Sequence, residues 1–208
     1  KFFIPHNQCP VPSSRVIPGD YSSAAFLLAA AAITSSKVTV ANLERRSLQG
    51  DRAIVEILMK MGADLKVRDE CVEFEGAESL KGIQIDARDI PDLAPVCAVL
   101  GCYASGRTVI RNAKRLRIKE SNRIESLVTE LNRMSATVTA AADDILVEGP
   151  CKLRGSAIDS HNDHRIAMAC SVAALGADGE TEINNADCVS KSYPMFYEDL
   201  RSLGGNVV

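Results

Sequence analysis

The sequence contains no tryptophan, and aromatic residues fill only 4% of its 208 positions. Its core therefore has to be aliphatic and rich in alanine. C-x-x-C pairs are also missing: Cys9, Cys71, Cys97, Cys102, Cys151, Cys170 and Cys188 stand singly, with only three histidines beside them. That disfavours a structural zinc site. An odd number of cysteines, in a chain long enough to bury its own core, reads as seven reduced thiols in a cytosol-like compartment. The longest apolar run, Ala24 to Ile33, covers 10 residues, where a membrane-spanning helix needs about 20. Neither G-x-x-x-x-G-K-[ST] nor G-x-G-x-x-G occurs, which disfavours nucleotide hydrolysis and dinucleotide binding. Positive charge is not in excess: 24 Lys and Arg face 27 Asp and Glu, for a net −3. A general binder of nucleic acid or anionic membrane is not expected. No signal-peptide pattern opens the chain, which starts at Lys1 and reads as a piece of something longer.

What is present is a globular composition, 46% hydrophobic and 25% charged, and an internal repeat. Gly19-Asp20, Pro91-Asp92 and Asn162-Asp163 each open an alanine-rich apolar stretch. The three aspartates are spaced 92 − 20 = 72 and 163 − 92 = 71. Each stretch leads into a β-prone segment: Lys37-VTV, Arg107-TVI and Glu180-TEI. Amphipathic helices follow, with Ile54, Ile57, Leu58 and Met61 on one face, then Ile124, Leu127, Leu131 and Met134, then Phe196, Leu200 and Leu203. They stop at Gly62, Ser135 and Gly204; glycine suits a left-handed cap better than serine does. Short strands close the unit, which is cyclically a βαβαββ. This predicts an α/β fold (α+β in some schemes) of three βαβαββ repeats around a pseudo-threefold axis, with inner apolar helices and sheets outside. One domain should cover 1–208, with repeats of about 16–82, 83–155 and 156–208. The third repeat is incomplete, so its closing strands come from elsewhere or are absent.

In such an arrangement the starts of equivalent helices collect at one end. The first helices are expected to begin near Asp20, Asp92 and Asp163, the second near Gly50, Lys119 and Lys191. Helix starts carry unpaired N–H groups and favour anions. The segment Arg111 to Arg123 adds 6 of the chain's 24 cations in 13 residues. Lys119, Glu120 and Arg123 should share one helical face at the first turn. Each residue alone has a plainer role: Asp92 and Asp163 as caps, His164 as a satisfied polar group, Lys191 as a loop lysine, the basic run as a solvated edge. His161 and His164 are i,i+3 without supporting ligands, so no metal is expected.

Five segments occur together in this order: Gly19-Asp20-Tyr21-Ser22-Ser23-Ala24, Ile90-Pro91-Asp92, Arg117-Ile118-Lys119-Glu120-Ser121-Asn122-Arg123, Asn162-Asp163-His164-Arg165-Ile166-Ala167-Met168 and Lys191-Ser192-Tyr193-Pro194. Together they resemble the 5-enolpyruvylshikimate-3-phosphate synthase family over essentially all 208 residues. The resemblance implies transfer of the enolpyruvyl group of phosphoenolpyruvate to the 5-hydroxyl of shikimate 3-phosphate, releasing phosphate, on the way to chorismate and aromatic amino acids. It implies no cofactor and no metal, a cytoplasmic monomer (plastidial in a plant), and a cleft between two similar domains. This chain corresponds to the domain with the C-terminus; the N-terminal half would be its partner.

By the same resemblance Asp92 is the base, Lys119 contacts shikimate 3-phosphate or shares the proton transfer, and Glu120 is the acid at the methylene carbon. Arg123, Arg165 and Lys191 clamp phosphoenolpyruvate, with His164 in support. Arg115 stands at a substrate-contacting position where some members use a shorter polar group. Asn122 replaces a usual aspartate, and Ser135 a usual glycine. The alternatives are a domain like those that transfer enolpyruvyl to UDP-N-acetylglucosamine, and a non-catalytic anion-binding domain.

Overall fold

The structure is a computed structural model in which Phe3, His6, Ser14 and residues 16–208 are described. Cys9 lies outside them. The first unit runs α1 (Tyr21–Thr34), β1 (Val38–Ala41), α2 (Ala53–Lys60), β2 (Asp64–Val67), β3 (Cys71–Gly76) and β4 (Gln84–Asp86). The second runs α3 (Ala94–Tyr103), β5 (Gly106–Arg111), α4 (Arg123–Arg133), β6 (Val138–Ala141), β7 (Asp144–Gly149) and β8 (Ala157–Asp159). The third holds α5 (His164–Ala174), β9 (Glu182–Asn184) and α6 (Phe196–Ser202).

Helices α1, α3 and α5 pack against one another as the inner layer. Their sequences allow this because alanine, cysteine and glycine keep the helix surfaces low. Ala29, Ala98, Cys97 and Ala169 are fully buried. The sheets lie outside: β1–β3–β2, then β4–β5–β7–β6, then β8–β9. Each unit passes its last strand to the next, so β4 pairs parallel with β5 and β8 parallel with β9. Two glycines permit these crossings. A Cβ on Gly82 would sit 2.4 Å from the Arg107 carbonyl oxygen, and one on Gly155 2.0 Å from that of Glu180. No side chain fits there.

The amphipathic faces of α2 and α4 are buried as their spacing predicts. Leu203 is not: it is 54% exposed, because α6 ends at Ser202 and the face closes on Phe196 and Leu200. Gly62, Ser135 and Gly204 all have positive φ (101°, 68° and 98°), so the serine does adopt the left-handed stop. No described helix is long and apolar enough to cross a membrane.

The six cysteines among the described residues are free thiols. Burial pushes Cys97 and Cys170 up to about 12. Cys102, on the last turn of α3, meets Cys151, whose backbone N–H donates to the Cys102 carbonyl at 2.6 Å. Contact with the Cys102 thiol brings Cys151 down to about 6, and the same contact and burial raise Cys102. Because the thiolate is the reactive form, Cys151 should be alkylated before Cys97, Cys102 and Cys170. Its rate should level off once the pH passes about 6. Peptide mapping after timed iodoacetamide labelling checks this; a Cys151 rate still climbing through pH 8 contradicts it.

Candidate functional site

The helix starts collect as the repeat implies, but they are built differently. Asp20 and Asp163 are true caps: the Asp20 carboxylate accepts the N–H groups of Ser22 and Ser23, and that of Asp163 accepts the Arg165 N–H. Asp92 caps nothing. It sits in a 3-10 turn, Pro91–Leu93, ahead of α3, which leaves its carboxylate free for side chains. The second helices start later than expected, at Ala53, Arg123 and Phe196. A 3-10 turn over Ala113–Ile118 precedes α4, and Lys119 follows it in an extended conformation. Lys119 and Glu120 therefore share no helical face with Arg123. Backbone folding brings them to it instead.

Arg123 is the centre of the cluster and is only 1% exposed. Its Nε donates to Asp163 Oδ2 at 2.8 Å, Nη1 to Asp92 Oδ1 at 2.8 Å, and Nη2 to Glu120 Oε2 at 2.7 Å. Nη2 also reaches Asp163 Oδ1 at 3.1 Å. One guanidinium thus ties three carboxylates from two repeats, using the planar fork that lysine lacks. Asp163 is fully buried, and Ser121 adds its N–H and hydroxyl to Oδ2.

Two lysines complete the ring. Lys119 Nζ lies 3.0 Å from Asp92 Oδ1, and Lys191 Nζ 2.7 Å from Glu120 Oε1. Burial works to raise both carboxylic acids, yet the cations prevail. Lys119, Arg165 and Arg123 hold Asp92 below its ordinary range, and the Lys191 hydrogen bond and Arg123 hold Glu120 at about 2. Both are ionised at neutral pH.

Arg165 is 6% exposed and spans to the first repeat, donating from Nη1 to the Ser22 carbonyl at 3.0 Å. It lies over the Phe26 ring at 5.7 Å. Its Nε and the His164 Nδ1 are buried without a hydrogen-bond partner. Burial and then the neighbouring Arg165 and Arg123 lower the His164 pKa, so the ring is largely neutral at pH 7. Glu120, Asp163 and His164 bring ligand atoms within 4.8 Å of one another, the geometry of a cation site. The Arg123 guanidinium already bonds both carboxylates there, so that position is filled by a side-chain cation.

Open space flanks the cluster on two sides. A cleft of about 310 Å³ is lined by Asp20, Gln49, Asp51, Asp92, Arg115 and Lys119 among others. A second of about 410 Å³ is lined by Glu120, Asn162, Asp187, Cys188, Ser190 and Lys191. Arg115 stands at the rim, its Nη1 3.4 Å from the Arg88 carbonyl. Asp92, Lys119, Glu120, Arg123, His164, Arg165 and Lys191 are thus brought together, with Arg115 beside them. Sequence reasoning passed over Asp51, whose Oδ2 accepts the Ser22 hydroxyl at 2.5 Å and whose pKa burial raises. The signal was available, since Asp51 follows Gly50, one of the expected second-helix starts.

Comparison with known proteins shows which family the chain resembles. A family model described as EPSP synthase (3-phosphoshikimate 1-carboxyvinyltransferase) matches residues 4–200. The 3-phosphoshikimate 1-carboxyvinyltransferase of Methanocaldococcus jannaschii is 43% identical over 206 residues, covering 99% of this chain and 48% of the relative. That of Clostridium acetobutylicum is 45% identical over 206 residues, covering 99% and 47%. The solved EPSP synthase of Acinetobacter baumannii superposes with a TM-score of 0.81 at 32% identity, over 89% of this chain and 46% of that one. The chain spans about half the length of the relatives it matches.

Proposed function

The chain belongs to the EPSP synthase (3-phosphoshikimate 1-carboxyvinyltransferase) family, and from that premise we propose that it forms one half of an enzyme moving enolpyruvyl from phosphoenolpyruvate to the 5-hydroxyl of shikimate 3-phosphate. The observation that carries this is the buried cluster around Arg123. It offers a carboxylate for a hydroxyl proton, cations for a carboxylate and a phosphate, and two buried nitrogens, Arg165 Nε and His164 Nδ1, that have no protein partner. A complementary half closes the cleft, the partner of the pair is the N-terminal part of the same enzyme, and the compartment is the cytoplasm, or the plastid in a plant.

The chemistry assigns the groups. Asp92, ionised and on the edge of the 310 Å³ cleft, accepts the proton of the 5-hydroxyl, with Lys119 holding the carboxylate and sharing the transfer. Arg165, Lys191 and His164 meet phosphoenolpyruvate, while Arg123 holds the three carboxylates in place and faces the same anion. Arg115 contacts shikimate 3-phosphate from the rim. Glu120 is the acid toward the methylene carbon, and it needs a change of partners to serve. At about 2 it is a carboxylate, held so chiefly by Lys191. An arriving phosphate that draws Lys191 to itself removes that hold and lets Glu120 take up a proton. Substrate binding and acid activation are then one event.

By itself the chain should bind phosphoenolpyruvate weakly and with strong salt dependence, because the cations remain partly solvated and the opposite wall is absent. Calorimetric titration at low and high salt tests this. Salt-independent binding, or none at low salt, would remove the anion site.

A further inference from the structure

Glu130 is a charged residue on the wrong side of its helix. It lies on α4 between Leu127 and Leu131, is 0% exposed, and neighbours the fully buried Cys170. A lone buried carboxylate is strongly unfavourable, so one persists inside a fold only where partners are provided. Of its three partners, the two that lie outside α4 lead one way. Oε2 accepts the Asp159 N–H at 3.2 Å, Oε1 faces His161 Nε2 at 2.9 Å, and Arg133 Nη1 supplies charge at 3.1 Å. Asp159 ends β8, and His161 begins the turn that leads to Asp163.

That turn is unusual. His161 and Asn162 have φ of 54° and 53°, two successive left-handed residues with neither a glycine. Side-chain bonds support it. The His161 N–H donates to Asp159 Oδ1 at 2.8 Å and the Asn162 N–H to Ser160 Oγ at 3.2 Å, while the fully buried Ser160 hydroxyl is anchored on the Asn185 carbonyl at 3.2 Å. Left-handed conformations at β-carbon-bearing residues persist only where the surroundings over-determine them, and they concentrate where they position something. Here they position Asp163, which caps α5 and receives Arg123, and Arg165, which follows two residues later.

We propose that Glu130 is a positioning residue: its buried carboxylate, through the His161 side chain and the Asp159 N–H, holds the left-handed His161–Asn162 turn that delivers Asp163 to Arg123 and Arg165 to the anion site. It touches no reacting atom. Its effect passes through the backbone, and its bearing on anion binding rests on the site reading given above.

Two substitutions at one position separate the bridge from the strain. In the full-length protein, His161→Ala and His161→Gly both remove the contact with Glu130, but only glycine adopts φ near 54° without a Cβ penalty. Exchange of the Arg123 Nε–H, read by NMR, reports the Arg123–Asp163 bond, and the Kd for inorganic phosphate reports the anion site. His161→Ala should speed that exchange and weaken phosphate binding, each by about tenfold, while exchange of core amides such as that of Leu100 keeps its original rate. His161→Gly should return both to within about threefold of the original. Glu130→Leu, which offers no acceptor, should behave as His161→Ala does, and add little once residue 161 is glycine. Equal effects of alanine and glycine, no effect of either, or core exchange accelerating in step would overturn the inference. Should phosphate fail to bind the original protein, the anion-site reading falls, while the Arg123 exchange still decides the positioning role.

Discussion

Asp92→Asn in the complete enzyme should lower kcat by roughly 10²–10⁴-fold, the range for loss of one general base, with substrate affinity nearly kept. The asparagine side chain retains the Oδ1 that now accepts from Arg123 Nη1 at 2.8 Å and lies 3.0 Å from Lys119. The geometry of the cluster therefore survives. What disappears is the negative charge able to take the hydroxyl proton. Steady-state kinetics with both substrates separates the two effects, since a mutation that acts only on the chemical step lowers kcat with little change in KM. An unchanged kcat would take Asp92 out of the mechanism and leave it a structural acceptor.

Arg123→Met should destabilise the fold by about 3–5 kcal/mol, the loss seen when one partner of a buried ion pair is removed. The methionine fills the volume but leaves Asp92, Glu120 and Asp163 facing one another, with Asp163 at 0% exposure. For a domain of this size that is a fall in Tm of roughly 10 °C. An exposed pair offers the control. Arg107 and Glu148 also form an ion pair, but their side chains are 60% and 45% exposed, so Arg107→Ala should cost no more than about 1 kcal/mol. Thermal unfolding of both variants tests the contrast. If Arg123→Met and Arg107→Ala melted together, the buried network would not be the organising element of this end of the molecule.

Much of the architecture was legible because it rests on periodic, local signals. The aspartate spacing and the alanine-rich runs located α1, α3 and α5, and the positions of Gly62 and Gly204 located helix ends, since those preferences act within a few residues. The conformation around Lys119 was not legible. A basic run reads equally as a helix start or a 3-10 turn, and only packing of Leu116 and Ala113 into the core decides for the turn. The candidate site residues Asp92, Lys119, Glu120, Arg123 and Arg165 stood out by charge and repeat position. Their pairing did not, because Arg123 finds Asp163 40 residues away and Lys191 finds Glu120 71 residues away. Burial was hidden as well. Nothing local distinguishes Glu130, fully enclosed, from the many glutamates that coat helix surfaces.

The most direct test of the account is phosphate release from phosphoenolpyruvate and shikimate 3-phosphate, followed with this chain alone and then with a complementary N-terminal half supplied. Fixing and orienting two reactants together contributes about 7–11 kcal/mol to lowering a bimolecular barrier, and one wall of a cleft forfeits most of it. The chain alone should therefore be silent, and turnover should appear when both halves are present. Near-normal release by the 208-residue chain on its own, or none with both halves folded and joined, would contradict it.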